Sequence, residues 1–214
     1  MRIAIDILSA RYGGGVVFIQ QLLPALVRQG YEHEWLVVAS PILQEWAGNL
    51  ATSAKILEAP SFVRNPAWRL FYQQLILPIH LAKAGVEVIW GTHIIPWAFP
   101  GATVVSFTNL KIYNHQWRRT SMRLRWLHLF SHISARRANI VICPSEYMRQ
   151  AIISDLKICP DRVVVIYHGV SPEFTPYGPK SLGKLNLPQP YLVCVSTLSA
   201  HKNILGLIRS FALL

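Results

Sequence analysis

The sequence predicts an α/β fold in which a parallel β-sheet is covered by helices on both faces. Short apolar runs that suit buried strands alternate with longer stretches in which apolar residues recur at helical spacing. The strand runs are almost continuously apolar, as expected when both faces of a sheet are buried. Apolar residues make up 52% of the 214 residues, which argues against disorder and allows a sizeable core.

The predicted elements follow one another in simple alternation. Strands are predicted at 2–8, 34–39, 54–57, 86–90, 103–107, 140–143 and 163–167. Helices are predicted at 16–29, 66–83, 117–137 and 146–155. Pro24 and Pro78 fall inside two of these helices, where the missing backbone N–H predicts a kink or a break.

The C-terminal part of the sequence predicts the start of a second domain. Residues 171–190 contain five prolines and two glycines, as is typical of a connector between domains. An apolar run at 191–195 predicts a buried strand, and apolar residues at helical spacing from Ile204 onward predict a helix. We therefore expect a first domain at 1–170, a linker at 171–190 and a first strand–helix unit at 191–214. Lys202 precedes that helix, whose N-terminus favours an anion.

The net charge of +11 is concentrated in one segment. Residues 111–137 hold seven Lys and Arg, three His and no acidic residue, which favours anionic partners. The helix predicted there suits an anionic membrane surface, with a basic patch at Arg118, Arg119, Arg123, Arg125 and Trp126. A core helix with a solvated basic face explains the same pattern equally well. Nucleic-acid binding is disfavoured, because no recognised motif and no aromatic stacking platform accompany the charge.

The sequence contains no sign of a membrane span, a signal peptide or a metal site. No eighteen-residue window is free of polar residues, and the N-terminal apolar run is too short for a signal sequence. We expect a cytoplasmic protein. Cys143, Cys159 and Cys194 lack metal or redox spacing, and Cys143 and Cys194 lie in predicted strands, where small buried thiols are common.

Two segments that follow predicted strands are candidate binding sites. Gly13, Gly14 and Gly15 lie between the first strand and the first helix, where a backbone without side chains can approach an anion closely. A flexible turn is the alternative, since the run is not a complete dinucleotide motif. Thr92 and His93 follow the fourth strand, and His93 could contact a hydroxyl group or transfer a proton. A histidine that is simply hydrogen-bonded in a loop is the alternative.

The order of several short motifs resembles that of family-four (group one) glycosyltransferases. The glycine run and the segment from the 191–195 strand through His201-Lys202-Asn203 match motifs of that family. Cys143-Pro144-Ser145-Glu146 resembles its strand-to-helix turn, although Ser145 as a helix N-cap explains that turn by itself. The turn at His168-Gly169 resembles the one before the interdomain crossover, and it predicts a positive φ at Gly169. Thr108 and Asn109 stand where the family has a His-Asp pair.

The resemblance implies a GT-B enzyme of two Rossmann-like domains that transfers a sugar with retention. The donor would be a nucleotide-diphosphate sugar, and the acceptor a lipid-linked, polysaccharide or other glycan. It implies no metal and no cofactor. Donor phosphates would be bound by Lys202 and by backbone N–H groups of the glycine run, while acceptor-binding residues would be Thr92, His93, Thr108 and Asn109. Because Thr108 cannot be a general base near neutral pH, His93 and His115 are the candidates for acid–base catalysis.

The paired glutamates that hold the donor sugar in this family are absent from the sequence. We therefore expect an incomplete half-enzyme, the acceptor-side domain with a stub of its donor domain, and no competent transfer by these residues alone. A non-catalytic module that binds a membrane or a partner protein is the alternative.

Overall fold

The computed structural model describes residues 1–10, 14–41, 54–108, 122–171, 174, 191–196, 198 and 202–213, except for the side chains of Arg123 and Leu124. The chain divides into two compact units, Met1–Ser171 and Pro172–Leu214.

The first unit contains a seven-stranded sheet in which every neighbouring pair of strands is parallel. The strands are β1 (Arg2–Asp6), β2 (Glu34–Ala39), β3 (Lys55–Glu58), β4 (Val88–Thr92), β5 (Ala102–Ser106), β6 (Ile140–Cys143) and β7 (Val163–Val165). Their order in the sheet is β3-β2-β1-β4-β5-β6-β7. The predicted parallel sheet with helices is therefore confirmed, with most strand ends shifted by one or two residues.

The helices lie where their apolar spacing predicts them. Asn65 caps α2 (Pro66–Phe71) by accepting a hydrogen bond from the backbone N–H of Ala67 at 2.9 Å, and Ser145 caps α5 (Glu146–Leu156) by accepting from the backbone N–H of Met148 at 3.2 Å. The helix that contains Pro24 runs through it without a break. The helices are α1 (Gly14–Gln29), α2 (Pro66–Phe71), α3 (Leu77–Lys83), α4 (Met122–Arg137), α5 (Glu146–Leu156) and, in the second unit, α6 (Ile204–Phe211).

The two faces of the sheet are buried against different helices. On one face, Ile5 and Val37 pack in a cluster with Ile19 and Leu23 of α1. On the other face, alternate residues of β1 and β2 pack against Tyr72 and the apolar side of α3. A third cluster places α4 and α5 over β5, β6 and β7. Burial on both faces explains why the strands are apolar throughout rather than alternating.

Three expectations from the sequence are wrong. Tyr191–Ser196 has no regular secondary structure, because no described strand pairs with it, and Val195 is 95% exposed. Cys194 lies in that segment and is exposed rather than buried in a strand. Gly169 does not have a positive φ. A Cβ atom at Gly169 would meet nothing within 4 Å, so neither the backbone nor the packing requires glycine there.

Candidate functional site

A cavity of about 180 Å³ lies at the carboxyl ends of β1 and β4. The chain leaves β1 toward β2 on one side and returns to β4 on the other, and such a reversal of strand order opens a crevice in parallel sheets. Ligands of α/β proteins bind in that crevice. The cavity is lined by Ser9, Arg69, Gln73, Thr92, His93, Ile94 and Leu127.

A buried carboxyl group lies below this cavity. Asp6, the last residue of β1, is 2% exposed. It accepts hydrogen bonds from the backbone N–H of Leu8 at 2.9 Å and from Nε2 of Gln73 at 2.6 Å. Burial raises the pKa of Asp6, and the two hydrogen bonds and the charge of Arg69 oppose that rise. Asp6 was not among the residues predicted from the sequence, although an acidic residue that ends an apolar strand is a usable signal of a buried functional group.

Gln73 reaches Asp6 because the chain between α2 and α3 widens into one π-helical turn, Tyr72–Ile76. The N–H of Leu77 bonds to the carbonyl of Tyr72, five residues earlier. Pro78 has no N–H to offer the carbonyl of Gln74, which removes the ordinary bond of the next turn. The widened turn buries three successive side chains, Tyr72, Gln73 and Gln74. A regular helix would rotate one of them away from the core.

The segment after β4 is fixed from two sides. Gln74 donates to the carbonyl of Ile95 at 3.1 Å and accepts from the N–H of Trp97 at 3.0 Å. The N–H of Ile95 also donates to Ser134 Oγ of α4 at 3.1 Å. A Cβ atom at Gly91 would lie 2.9 Å from the carbonyl oxygen of Ile94, so glycine is required where this segment turns back. The cavity therefore has a rigid wall.

His93 lies in that wall with a left-handed backbone conformation, φ 64°. Its Nε2 lies 3.5 Å from the hydroxyl of Thr108, and its ring contacts Phe107 edge-on at 5.3 Å between centroids. The Nδ1 atom is buried and has no hydrogen-bond partner among the described residues. Burial lowers the pKa of His93 to about 4. The ring is therefore neutral near pH 7, where it can exchange hydrogen bonds but is a weak base.

The structure thus brings three of the predicted acceptor residues together. Thr92, His93 and Thr108 lie at one edge of the sheet, and Ser9 joins them through a hydrogen bond between its hydroxyl and that of Thr92. Arg69 approaches the cavity from α2, with its Nη1 atom 3.4 Å from the carbonyl of Leu8. Asn109 lies outside the described residues, as do His115, Arg118 and Arg119.

The predicted phosphate-binding residues lie in two different units. Gly14 and Gly15 begin α1, and a Cβ atom at either would meet nothing within 4 Å. Packing therefore does not require these glycines, while the open backbone suits close approach of a ligand. Gly13 lies outside the described part of the chain. Lys202, in the second unit, is exposed just before α6, and Asn203 beside it has a φ of 50°.

Part of the apolar side of α4 is exposed, although Leu127 lines the cavity and Phe130 stacks on Trp97. Met122 is 62% exposed and Trp126 is 52% exposed, while the small residues Ser131 and Ala135 are buried. We call Met122 and Trp126 the exposed stripe of α4. Arg125 is also exposed beside this stripe, and the side chain of Arg123 is not among those described. Both interpretations of α4 therefore stay open, because the helix buries one face in the core and exposes Met122 and Trp126 together with basic residues.

Further features of the described residues bear on the site. A second cavity, of about 280 Å³, lies at the opposite edge of the sheet, where Arg2 and Glu34 pair at 2.7 Å. Because it adjoins the amino ends of the strands, we place the candidate site at the carboxyl edge. Within the described residues, no three His, Cys, Asp or Glu side chains are grouped to hold a metal ion. None of the described helices is long and apolar enough to span a membrane.

Comparison with known proteins gives one family match and several similar folds. The sequence model of Glycosyltransferase Family 4 matches residues 12–174. A Listeria monocytogenes protein assigned as a UDP-N-acetylglucosamine 2-epimerase superposes with a TM-score of 0.56 at 10% identity, over 77% of this chain and 43% of the other. For UGT2 of Phytolacca americana the TM-score is 0.54 at 12% identity, over 79% and 52%.

A glycosyltransferase of Rickettsia africae superposes with a TM-score of 0.48 at 15% identity, over 79% of this chain and 43% of the other. No curated protein matches the sequence. The chain therefore spans about half the length of the structures it resembles. At these identities the superpositions show the fold alone, and one of the two better ones is described as an epimerase, so activity does not follow from them.

Proposed function

The chain belongs to Glycosyltransferase Family 4, and we propose that it forms the acceptor-side half of an enzyme that transfers a sugar, with retention, from a nucleotide-diphosphate donor. The family match over residues 12–174 is the observation that carries this proposal. The cavity at the strand reversal supports it, because α/β enzymes bind their substrates there.

The lining of the cavity suits an acceptor that carries hydroxyl groups. Ser9 and Thr92 present hydroxyls, Gln73 an amide and His93 a neutral ring. Such groups both donate and accept hydrogen bonds, as a sugar hydroxyl does. Thr108 extends the same edge through His93. We propose that this edge holds the attacking sugar, and that Asn109 and His115 belong to the same region.

The donor would bind by its diphosphate, without a metal ion. The open backbone at Gly14 and Gly15 begins α1, whose positive end favours an anion. Lys202 would add a positive charge from the second domain. Charge on the departing nucleotide grows as the glycosidic bond breaks, so Lys202 should act more strongly in the transition state than in the ground state.

The proposal is tested in a chain that carries a complete second domain. Lys202→Ala should lower kcat/KM by roughly 10²–10³, the scale for loss of one preorganised electrostatic contact. Lys202→Arg should retain part of the kcat/KM that Lys202→Ala loses. Lys55→Ala, a change of an exposed lysine on the edge strand β3, should leave kcat/KM within about twofold.

Two outcomes would contradict this proposal. One is an unchanged kcat/KM in a folded Lys202→Ala enzyme, which would remove Lys202 from the site. The other is efficient nucleotide-sugar turnover by residues 1–214 alone, which would refute the half-enzyme interpretation. If the chain with a complete second domain is inactive but still binds vesicles, that result would favour the alternative, a non-catalytic module that binds a membrane.

A membrane surface is the proposed location of the acceptor. The exposed stripe of α4, with Met122 and Trp126, has Arg125 beside it. Helices of this kind lie at the interface of anionic bilayers, with aromatic residues at the headgroup level. A second exposed apolar set, Trp68, Phe71, Leu75 and Ile79, runs along α2, the widened turn and α3. Because Arg69 of α2 and Leu127 of α4 both line the cavity, the two apolar sets flank the site.

A further inference from the structure

We propose that Gln73 determines which acceptor groups the cavity accepts, and that Asp6 sets the direction in which the amide of Gln73 points. The amide oxygen of Gln73 then selects an acceptor hydroxyl that donates a hydrogen bond. The inference rests on the proposed acceptor role of the cavity and deepens it. In this assignment Gln73 contacts the acceptor, while Asp6 is a positioning residue that acts through Gln73.

Asp6 accepts a hydrogen bond at each of its two carboxyl oxygens. The backbone N–H of Leu8 donates to Oδ1 at 2.9 Å, and Nε2 of Gln73 donates to Oδ2 at 2.6 Å. Burial opposes a charge on Asp6, while these two donors and the positive charge of Arg69 favour the ionised form. An ionised carboxylate only accepts hydrogen bonds, so it holds the nitrogen of the Gln73 amide rather than the oxygen.

The bond to Asp6 leaves the oxygen of the Gln73 amide for the cavity. Gln73 lines the cavity, whereas Asp6 lies below it and is 2% exposed. The nitrogen and the oxygen of a planar amide point in different directions, so Oε1 is turned away from Asp6 when Nε2 is bonded to it. Within the described part of the chain, Oε1 of Gln73 accepts no hydrogen bond. This oxygen is therefore the amide atom that can contact a ligand.

The other polar side chains of the lining do not impose the same requirement. The hydroxyls of Ser9 and Thr92 bond to each other and can turn to donate or to accept. Arg69 only donates, and its charge already acts within the protein. Gln73 thus contributes an acceptor of fixed direction, and the ligand atom beside it has to donate. A hydroxyl meets this requirement, whereas an ether or carbonyl oxygen would leave Oε1 without a hydrogen bond.

The widened turn between α2 and α3 keeps the amide in place. It buries Tyr72, Gln73 and Gln74 in succession, and Gln74 is bonded to the segment after β4 on both sides of its own amide. The side chain of Gln73 is therefore fixed at its base by the turn and at its end by Asp6. A group held in this way discriminates between ligands without a cost of ordering it on binding.

Asp6→Asn should reverse the direction of the amide. The N–H of Leu8 is a fixed donor, so the new side chain keeps its oxygen there and turns its NH2 group toward Gln73. The amide of Gln73 must then turn over, which brings Nε2 to the cavity in place of Oε1. The double change Asp6→Asn/Gln73→Glu should restore an oxygen that faces the cavity. The matched controls are Asp155→Asn and Gln150→Glu, at exposed positions of α5.

The first measurement uses the 214-residue chain without a ligand. The side-chain amide NMR signals of Gln73 are identified by their absence from the spectrum of Gln73→Glu. We expect one amide proton of Gln73 to be shifted downfield by its short bond to Asp6. That shift should be lost in Asp6→Asn and kept in Asp155→Asn.

The second measurement compares the binding of glucose with that of its monodeoxyfluoro analogues by ligand-observed NMR. Glucose is a ring-sized probe that suits a cavity of about 180 Å³, and fluorine in place of a hydroxyl cannot donate a hydrogen bond. We expect fluorine at one position to weaken binding to the wild type about tenfold, because Oε1 of Gln73 is left unpaired. The same replacement should weaken binding to Asp6→Asn by no more than about twofold. The loss of about tenfold should return in the double variant and persist in both controls.

Two results would overturn the inference and leave the proposed function intact. One is a Gln73 amide spectrum without the downfield proton, or with a downfield proton that Asp6→Asn does not remove. The other is a fluorine effect that is absent from the wild type or equal in Asp6→Asn. The wild-type measurements decide the matter if Asp6→Asn does not fold by circular dichroism. Failure of glucose and all of its analogues to bind would count against the acceptor role of the cavity as well.

Discussion

The backbone conformation of His93 determines what its side chain can do. A positive φ turns the chain sharply at the end of β4, and the ring then packs on Phe107 with Nδ1 buried. Only a few residue types tolerate this conformation, and Asn and His are among the more tolerant. The position therefore couples a turn to a titratable ring whose Nδ1 atom is buried.

Replacing His93 with Asn should remove a pH dependence of stability. The pKa of His93 is lowered to about 4 in the folded protein from 6.5, so the unfolded chain binds more protons between these values. The stabilisation is present above pH 6.5 and is lost as the pH falls toward 4. The free energy of unfolding of the wild type should fall by about 3 kcal/mol more than that of His93→Asn across this window, in urea denaturation followed by circular dichroism.

The control for this measurement is His80→Asn, which changes an exposed histidine of α3. It should retain the wild-type pH dependence. Parallel curves for the wild type and His93→Asn would show that His93 is not the buried, neutral group described above.

At the level of single residues, the sequence predicted three positions that follow strands, and it missed Asp6 and Ser9 at the end of β1 and the positions that come from helices. Thr92, His93 and Thr108 could be placed at one edge because carboxyl ends of parallel strands meet there. Arg69 and Gln73 enter the cavity from a helix whose rotation depends on tertiary packing. Helical periodicity alone does not fix that rotation when a widened turn intervenes.

Among the elements, the helical stretch 66–83 shows both the strength and the limit of sequence reasoning. Pro78 predicted a disturbance, and the structure has one just before it, in the turn Tyr72–Ile76. The form of the disturbance was not predictable, because a proline in a helix is compatible with a kink, a break or a widened turn. The buried partners Asp6 and Ile95 favour the last of these.

Gln74→Leu tests how far the widened turn supports the site. The side chain keeps its approximate size but loses both hydrogen bonds to the segment after β4, at Ile95 and Trp97. Two backbone groups then lose their partner, and we expect the free energy of unfolding to fall by about 2–4 kcal/mol.

The matched control is Gln21→Leu on the exposed side of α1, which should change the free energy of unfolding by no more than about 0.5 kcal/mol. Denaturant unfolding of the two variants gives the comparison. Equal, small effects would mean that water replaces Gln74 and that the wall of the cavity does not depend on it.

For the whole molecule, strand and helix alternation was sufficient to predict the parallel sheet, since all seven strands were foreseen. The second unit was less predictable. An apolar run such as Tyr191–Ser196 forms a strand only when a neighbouring strand accepts its hydrogen bonds, and the sequence of the run does not contain that information. The exposure of Met122 and Trp126 on α4 was equally unpredictable. The apolar periodicity of a helix separates an apolar face from a polar one, but it does not show which side chains are buried in the folded protein.

The 214-residue chain should bind vesicles that contain anionic lipid. Replacing Arg118, Arg119, Arg123 and Arg125 with Gln should reduce co-sedimentation, since each basic residue near a charged surface contributes about 1 kcal/mol. Trp126→Ala should reduce it further through loss of the exposed apolar stripe. Added salt should weaken the binding of the wild type.

Arg28→Gln is the control in this assay, because it removes one charge from the exposed C-terminal end of α1, a different helix. Equal binding of the wild type to neutral and anionic vesicles would reject an electrostatic membrane surface. Equal binding of the wild type and the Trp126→Ala variant would reject insertion of the stripe.

The central position of β1 has a consequence for how the chain is made. β1 pairs with β2 on one side and with β4 on the other, and Ile3 lies opposite Val88. A ribosome adding roughly 5–20 residues per second completes β4 only seconds after β1 has emerged. Until then one edge of β1 is open, with Ile3, Ala4 and Ile5 exposed to water, and parallel pairings of distant segments form slowly. Nascent chains should therefore depend on chaperones until β4 is released, and chains stalled before Val88 should aggregate.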